Sequence, residues 1–148
     1  MGKINLVRVI GGGLLAGLII NIGEFILNGM ILKDRWADAL KVRNLPPMEG
    51  MVIVYYIGIS FAVGLVMLWV YAAILPRLNP GPKTAICAGL ATWALAYLIP
   101  NAGAVAGQML PRRLLFYGTL WGLFELPIAA IIGAWIYKEA TEPKAAAA

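Results

Sequence analysis

Long apolar runs alternate with short polar connections along the chain. Four runs reach the roughly 20 apolar residues that an α-helix needs to cross a bilayer: Val9–Leu32, Met51–Leu75, Ala85–Gln108 and Leu114–Tyr137. Because a bilayer interior offers no water to unpaired backbone groups, each run is expected to be helical, and short connections place neighbouring helices antiparallel. The pattern predicts an all-α fold, an integral membrane bundle of four antiparallel transmembrane helices.

The composition agrees with this pattern. Hydrophobic residues make up 61% of the 148 residues and charged residues only 13%, whereas soluble domains are roughly 45–50% apolar. No soluble module is visible, so residues 1–148 are predicted to form a single four-helix transmembrane domain. The tail, residues 138–148, has no apolar face to bury and is expected to be disordered.

The first connection, Lys33–Gly50, is the only long one. Its stretch KDRWADALK is expected either to prolong the first helix or to lie along the lipid headgroups. The second connection, PRLNPGPK, suits a tight hairpin.

Charge is placed at the ends of the apolar runs. The 12 Lys and Arg residues exceed the 7 Asp and Glu residues, and their positions suit membrane lipid rather than nucleic acid as a partner. Six basic residues fall on each side of the predicted membrane, so their number does not decide the orientation. The early pair Lys3 and Arg8 favours cytoplasmic termini in an inner (plasma) membrane.

Side-chain chemistry is sparse. The chain has no histidine, and its one cysteine, Cys87, lies inside an apolar run. Most redox and hydrolytic chemistry, and a histidine or cysteine metal site, are therefore not expected. The sequence predicts no catalytic residue, no metal, no cofactor and no enzymatic activity.

One carboxylate, Glu24, interrupts the first apolar run. Asn21, Glu24 and Asn28 are spaced i, i+3 and i+7 and share one helix face. A second intramembrane acid, Glu125, lies in line with Gly118 and Gly122 on the fourth run.

The intramembrane polar residues project to similar depths. Measured along ideal helices, they lie roughly 10–16 Å from the face that carries the first and third connections. An ionised carboxylate at that depth costs at least about 2.5–3.5 kcal/mol, so the acids are expected to be protonated or to share a proton. The predicted polar site comprises Glu24, Glu125, Asn21, Asn28, Asn101 and Ser60.

Two interpretations of this site remain open. In one, the acids hold helices together by hydrogen bonds, within the chain or against another subunit. In the other, they form a site that handles protons or cations.

Small residues recur at helical spacing in every run, which predicts close helix packing. The positions assigned to packing are Gly13, Gly17, Gly64, Gly89, Gly118 and Gly122. Trp36 is predicted to anchor at the membrane interface. Three deeper aromatic residues are interpreted as ordinary packing, with a hydrophobic-ligand groove as the alternative: Trp93, Tyr97 and Trp121.

The stretch AGLIINIGEFILNGMILKDRWADAL, about the first third of the chain, resembles the opening of certain uncharacterised bacterial four-helix membrane proteins of unknown function. The resemblance implies fold and a bacterial membrane location, but no activity. The chain departs from the small multidrug transporters, which lack its long first connection and second intramembrane acid.

These features favour a non-enzymatic accessory or scaffold subunit that packs through small-residue helix faces. Its expected partners are other membrane subunits or a second copy of itself. The alternative is a small proton- or cation-coupled transporter that uses Glu24 and Glu125.

Overall fold

The structure is a computed structural model that describes residues 4–137, and the predicted tail lies outside them. This part of the chain is helical apart from short connections. Four of its helical stretches are long and apolar enough to cross a membrane: Leu6–Ile31, Met51–Leu78, Pro82–Ala106 and Arg112–Ala134. The prediction of an all-helical chain with four stretches of membrane-spanning length is confirmed, and we call these stretches the first to fourth spans.

Two of the spans are not continuous α-helices. In chain order the elements are α1 (Leu6–Glu24), a first π segment (Phe25–Ile31), α2 (Lys33–Val42), α3 (Met51–Leu78), α4 (Pro82–Trp93), a second π segment (Ala94–Leu98), α5 (Ile99–Ala106) and α6 (Arg112–Ala134). The π segments widen the helix by one residue per turn, as the hydrogen bond from the Leu32 amide to the Leu27 carbonyl shows, at 2.8 Å. The sequence patterns did not predict either segment.

Proline explains the second π segment. Pro100 has no amide hydrogen to donate to the carbonyl four residues earlier. The Ile99 amide instead donates to the Ala94 carbonyl, five residues back. The first π segment contains no proline, and nothing in its sequence explains it.

The span boundaries differ from the predicted ones by two or three residues at most ends. The first span begins at Leu6 rather than Val9, because the Asn5 side chain accepts a hydrogen bond from the Arg8 amide and caps the helix. α3 continues past Pro76 to Leu78, so the helix takes up part of the predicted hairpin.

The first connection contains a helix of its own. α2 begins after a break at Leu32 and packs back against the start of α6, through a buried apolar cluster to which Trp36 and Trp121 add. The buried members are Leu27, Leu32, Ala39 and Leu114. α2 is therefore neither a continuation of α1 nor detached from the four spans.

The main core lies where α1, α3, α4 and α6 meet. α1 packs against α3 and α6, and α4 packs against α6 and α3. The most deeply buried side chains of this core include Ala16, Ile20, Met67, Leu68, Leu126 and Ala129. The outer surface is also apolar, with large exposed side chains such as Tyr55, Ile59, Val66, Trp69 and Phe124.

Glycines allow the backbones of α1 and α3 to touch. A Cβ atom added at Gly64 would overlap the Gly13 carbonyl oxygen and lie 2.5 Å from the Gly17 amide nitrogen. We call Gly13, Gly17 and Gly64 the glycine contact. Gly12 and Gly133 make a similar approach between α1 and α6, which the sequence analysis missed.

The other predicted packing glycines differ in their surroundings. Gly89 lies against the backbone of Pro127, and Gly122 lies against the rings of Tyr97 and Trp93. An added Cβ at Gly118 would meet no atom within 4 Å among the described residues. Gly118 therefore makes no close helix contact within this part of the chain.

Candidate functional site

The two acids of the apolar spans, Glu24 and Glu125, lie together where three spans meet. Glu24 ends α1, Glu125 lies in α6, and the Glu125 carboxyl group lies against the α1 backbone at Gly23, the residue before Glu24. Gly23 makes this approach possible, because a Cβ atom there would overlap the Glu125 Oε1 atom. Glu24 and Glu125, which are 101 positions apart in sequence, thus belong to one site.

Two neutral side chains donate hydrogen bonds to Glu24. The Tyr97 hydroxyl donates to Oε1 at 2.6 Å, and the Asn28 amide nitrogen donates to Oε2. Tyr97 belongs to the second π segment and Asn28 to the first. Both π segments therefore carry a residue that donates a hydrogen bond to the Glu24 carboxyl group. π turns within α-helices are frequent at functional sites in proteins.

The hydrogen bonds continue from Asn28 to the surface helix α2. The Trp36 indole nitrogen donates to the Asn28 Oδ1 atom at 2.7 Å. This bond fixes the Asn28 side chain with its amide nitrogen towards Glu24. Trp36, predicted as an interface anchor, positions a residue of the site from a half-buried location.

Glu125 is the more buried of the two acids, with 8% of its surface exposed. The Trp121 indole nitrogen donates to its Oε1 atom at 3.1 Å. Its Oε2 atom is buried and meets no hydrogen-bond donor among residues 4–137.

The side chains that donate hydrogen bonds to the two acids are all uncharged. An ionised carboxylate only accepts hydrogen bonds, whereas a protonated carboxyl group also donates one. Sharing of a proton between two neighbouring carboxyl groups is therefore the chemistry that this arrangement offers. We call Glu24, Asn28, Tyr97, Trp121 and Glu125 the acid junction.

Three residues of the predicted site bond elsewhere. Asn21 donates to the carbonyl oxygens of Gly17 and Ile57, and Ser60 donates to the Tyr56 carbonyl. Asn101 donates to the Thr119 hydroxyl at 2.8 Å, which joins α5 to α6. Their hydrogen-bond partners are backbone groups and a threonine, not the acids, so similar depth along a helix did not bring these side chains into the junction.

Sequence reasoning missed Tyr97 and Trp121 as members of the site. Both were interpreted as packing residues, although a buried tyrosine hydroxyl or tryptophan N–H usually finds a hydrogen-bond partner. That rule, applied to the deeper aromatic residues, is the signal that would have indicated polar partners for both.

The site offers little to a metal ion or a cofactor. Within residues 4–137, no group of three or more His, Cys, Asp or Glu residues is arranged to hold a metal. The acid junction contributes two carboxyl groups whose oxygens mostly face donors of the chain itself.

Neither acid lines either of two grooves on the surface of residues 4–137. One groove, of about 480 Å³, reaches Trp121, and the other, of about 530 Å³, lies beside α2. Trp121 thus stands between the first groove and Glu125.

Comparisons of the chain with protein-family models, curated proteins and solved structures gave no match. The functional argument therefore rests on the geometry of the acid junction and on the surfaces around it.

Proposed function

We propose that the protein is a multi-pass protein of a bacterial inner membrane, with its four spans inserted antiparallel and its termini in the cytoplasm. Four spans of sufficient length and an apolar outer surface support insertion. The early basic residues Lys3 and Arg8 support the orientation.

Contacts between spans support the antiparallel arrangement. Along α1 and α3, Gly13 meets Leu65, Gly17 meets Phe61, and Asn21 bonds to Ile57. Residue numbers rise in one helix while they fall in the other, as antiparallel packing requires. Gly12 opposite Gly133 and Gly23 opposite Glu125 give the same order for the first and fourth spans.

We propose that the protein acts as a non-enzymatic accessory or scaffold subunit in which the acid junction fastens three spans. One observation carries this proposal: the acids are held by Tyr97, Asn28 and Trp121 of the chain itself and lie outside both grooves. A buried polar network whose members are hydrogen-bonded adds rigidity and specifies one packing arrangement.

A partner subunit would meet large apolar side chains rather than most of the predicted small-residue faces. Gly13, Gly17, Gly64 and Gly89 already contact other helices of the chain. The outward surface of α3, which exposes a run of aromatic and branched residues, is broad enough to receive another membrane helix. Its members include Tyr55, Tyr56, Ile59, Val66 and Trp69.

The alternative function is a small proton- or cation-coupled transporter that uses Glu24 and Glu125. Its specific support is the presence of two acids in one site whose hydrogen-bond donors are all uncharged. Acidic residues inside transporters often relay protons.

One experiment on the full-length protein separates the two functions. We would measure its mass in mild detergent by native mass spectrometry, and measure pH-gradient-driven proton flux after reconstitution into liposomes. A subunit is expected to run as a stable complex well above its own 15.9 kDa and to give no flux above that of empty liposomes.

Glu24→Gln and Glu125→Gln complete the test, with Glu49→Gln in the first connection as a matched control. Flux in the wild type that both intramembrane substitutions abolish, and that Glu49→Gln preserves, would overturn the subunit function and establish transport. A monomer without flux would contradict both functions.

A further inference from the structure

An apolar trough runs along the side of α6 that faces the first π segment. It has a volume of about 480 Å³ and is open to the surroundings. Its walls are mainly aliphatic and aromatic side chains: Leu27, Ile31, Leu32, Leu120 and Phe124. The one charged residue in its lining is Arg35.

A second groove, of about 530 Å³, continues from the first and is basic. The two grooves share Arg35 and Tyr117, and the second adds Arg43 and Arg113. Asp38 is the acidic residue in its lining. Three guanidinium groups and one carboxylate give this end a charge of 3 − 1 = +2.

The arginines are placed by different contacts. The Arg35 guanidinium carbon lies 5.6 Å from the centre of the Tyr117 ring, in a cation–π contact. Arg43 donates to the carbonyl oxygens of Met109 and Ala39, which joins α2 to the connection between α5 and α6. Arg113 is exposed in the first turn of α6.

The dimensions of the combined groove match one leaflet of a bilayer. Arg113 opens the fourth span, where lipid headgroups lie, and Phe124 is 11 residues further along the helix. At a rise of about 1.5 Å per residue the groove extends roughly 16 Å, about half of a hydrocarbon core that is about 30 Å thick.

We propose that this groove binds one anionic phospholipid of the surrounding membrane, with an acyl chain in the apolar trough and the phosphate beside Arg35 and Arg113. Charge complementarity carries the assignment, because a guanidinium fork matches a phosphate geometrically and electrostatically. The apolar trough distinguishes a lipid from a small soluble phosphate. The inference does not depend on the function proposed for the acid junction.

The test uses the full-length protein in mild detergent. Native mass spectrometry would follow its titration with phosphatidylglycerol or with phosphatidylcholine of the same acyl chains. We expect phosphatidylglycerol to bind more tightly, and we expect Arg35→Gln and Arg113→Gln each to weaken it about fivefold, from about 1 kcal/mol per basic residue near a lipid surface.

Arg112→Gln is the matched control for charge, because Arg112 is the exposed neighbour of Arg113 and does not line either groove. It is expected to change phosphatidylglycerol affinity less than about twofold, since a charge outside the site contributes only screened, long-range attraction. Equal losses for Arg112→Gln and Arg113→Gln would overturn a defined headgroup site in favour of general attraction by net charge.

A separate part of the experiment tests the acyl-chain site. Leu120→Trp fills the trough and is expected to weaken binding, whereas Ile128→Trp, at an exposed position of α6 outside the trough, is not. Glycerol 3-phosphate is expected not to displace the lipid. Displacement by glycerol 3-phosphate at the concentration of the lipid itself, or equal effects of the two tryptophan substitutions, would overturn the lipid assignment.

Discussion

Two regions of the first span hold their neighbours by opposite means. At the glycine contact, α1 meets α3 through the absence of side chains, and backbone lies on backbone. At the acid junction, eleven residues along the chain from Gly13, Glu24 accepts a hydrogen bond from Tyr97 of the third span, and the Glu125 side chain of the fourth span lies against Gly23. The first kind of contact has no freedom to adjust, whereas the second can rotate its side chains.

The two kinds of contact are therefore sensitive to different substitutions. A dry backbone contact is broken by any added atom, because neither backbone can turn away. A polar junction tolerates small added volume but depends on each donor, because an unsatisfied buried carboxyl group is expensive. Three substitutions, in order of expected effect, test this contrast.

The largest effect is expected at the glycine contact. Gly64→Val would push a branched side chain into the Gly13 and Gly17 backbones, so α1 and α3 must separate at a cost of about 3 kcal/mol. Thermal and denaturant unfolding in detergent would measure the loss.

Gly58→Val is its control, because Gly58 lies on the same helix and an added Cβ there meets no atom within 4 Å among the described residues. The control is expected to unfold close to the wild type. Equal destabilisation by the two substitutions would show that helix propensity, not the contact, sets the stability.

A smaller effect is expected at Gly23, where α1 lies against the Glu125 carboxyl group of the acid junction. Gly23→Ala places a methyl group against the Glu125 Oε1 atom. Because the carboxyl group can rotate, the expected loss is about 1–2 kcal/mol, near the lower end of overpacking costs. Unfolding free energies in detergent would measure it, with Gly118→Ala as the control at an open position of α6.

A double-mutant cycle identifies the group that the methyl meets. In a Glu125→Ala background, Gly23→Ala is expected to cost much less, because the carboxyl group that it would overlap has been removed and the nearest remaining atom is the Trp121 Nε1 atom, at 3.3 Å. An unchanged penalty in that background would contradict the placement of Glu125 beside Gly23.

The smallest effect is expected when one donor is removed. Tyr97→Phe keeps the ring and deletes the hydroxyl that donates to Glu24, so the expected loss is about 1 kcal/mol. Tyr55→Phe, at an exposed site of α3, is the matched control and is expected to be neutral in the same unfolding measurement. A loss for Tyr97→Phe as large as that for Gly64→Val would reverse the ranking of the two regions.

The sequence by itself determined the helical class and the four spans. Long apolar runs have one low-energy backbone conformation in lipid, and their ends are marked by polar and basic residues. It also indicated the two acids, because a carboxylate stands out against an apolar run. The packing role of Gly13, Gly17 and Gly64 followed from their spacing alone.

Only the tertiary structure decided which polar residues meet. Depth along an ideal helix places Asn21, Ser60 and Asn101 in the same layer as the acids, but rotation about each helix axis directs their side chains to other partners. The second π segment changes that rotation on the third span, which carries Tyr97 to Glu24, whereas Asn28 meets Glu24 at the i, i+4 spacing that the sequence indicated. Periodicity arguments assume a constant 3.6-residue turn, so they cannot anticipate such a change.

The position of α2 likewise depends on tertiary packing. Its sequence is compatible with a continued helix or a surface helix, and the choice depends on the apolar cluster that Leu32 and Ala39 form with Leu114 of α6. That contact joins residues 75 positions apart, from Ala39 to Leu114. It brings Trp36 to Asn28 and Arg35 to the mouth of the trough, so both the acid junction and the proposed lipid groove depend on packing that no local pattern encodes.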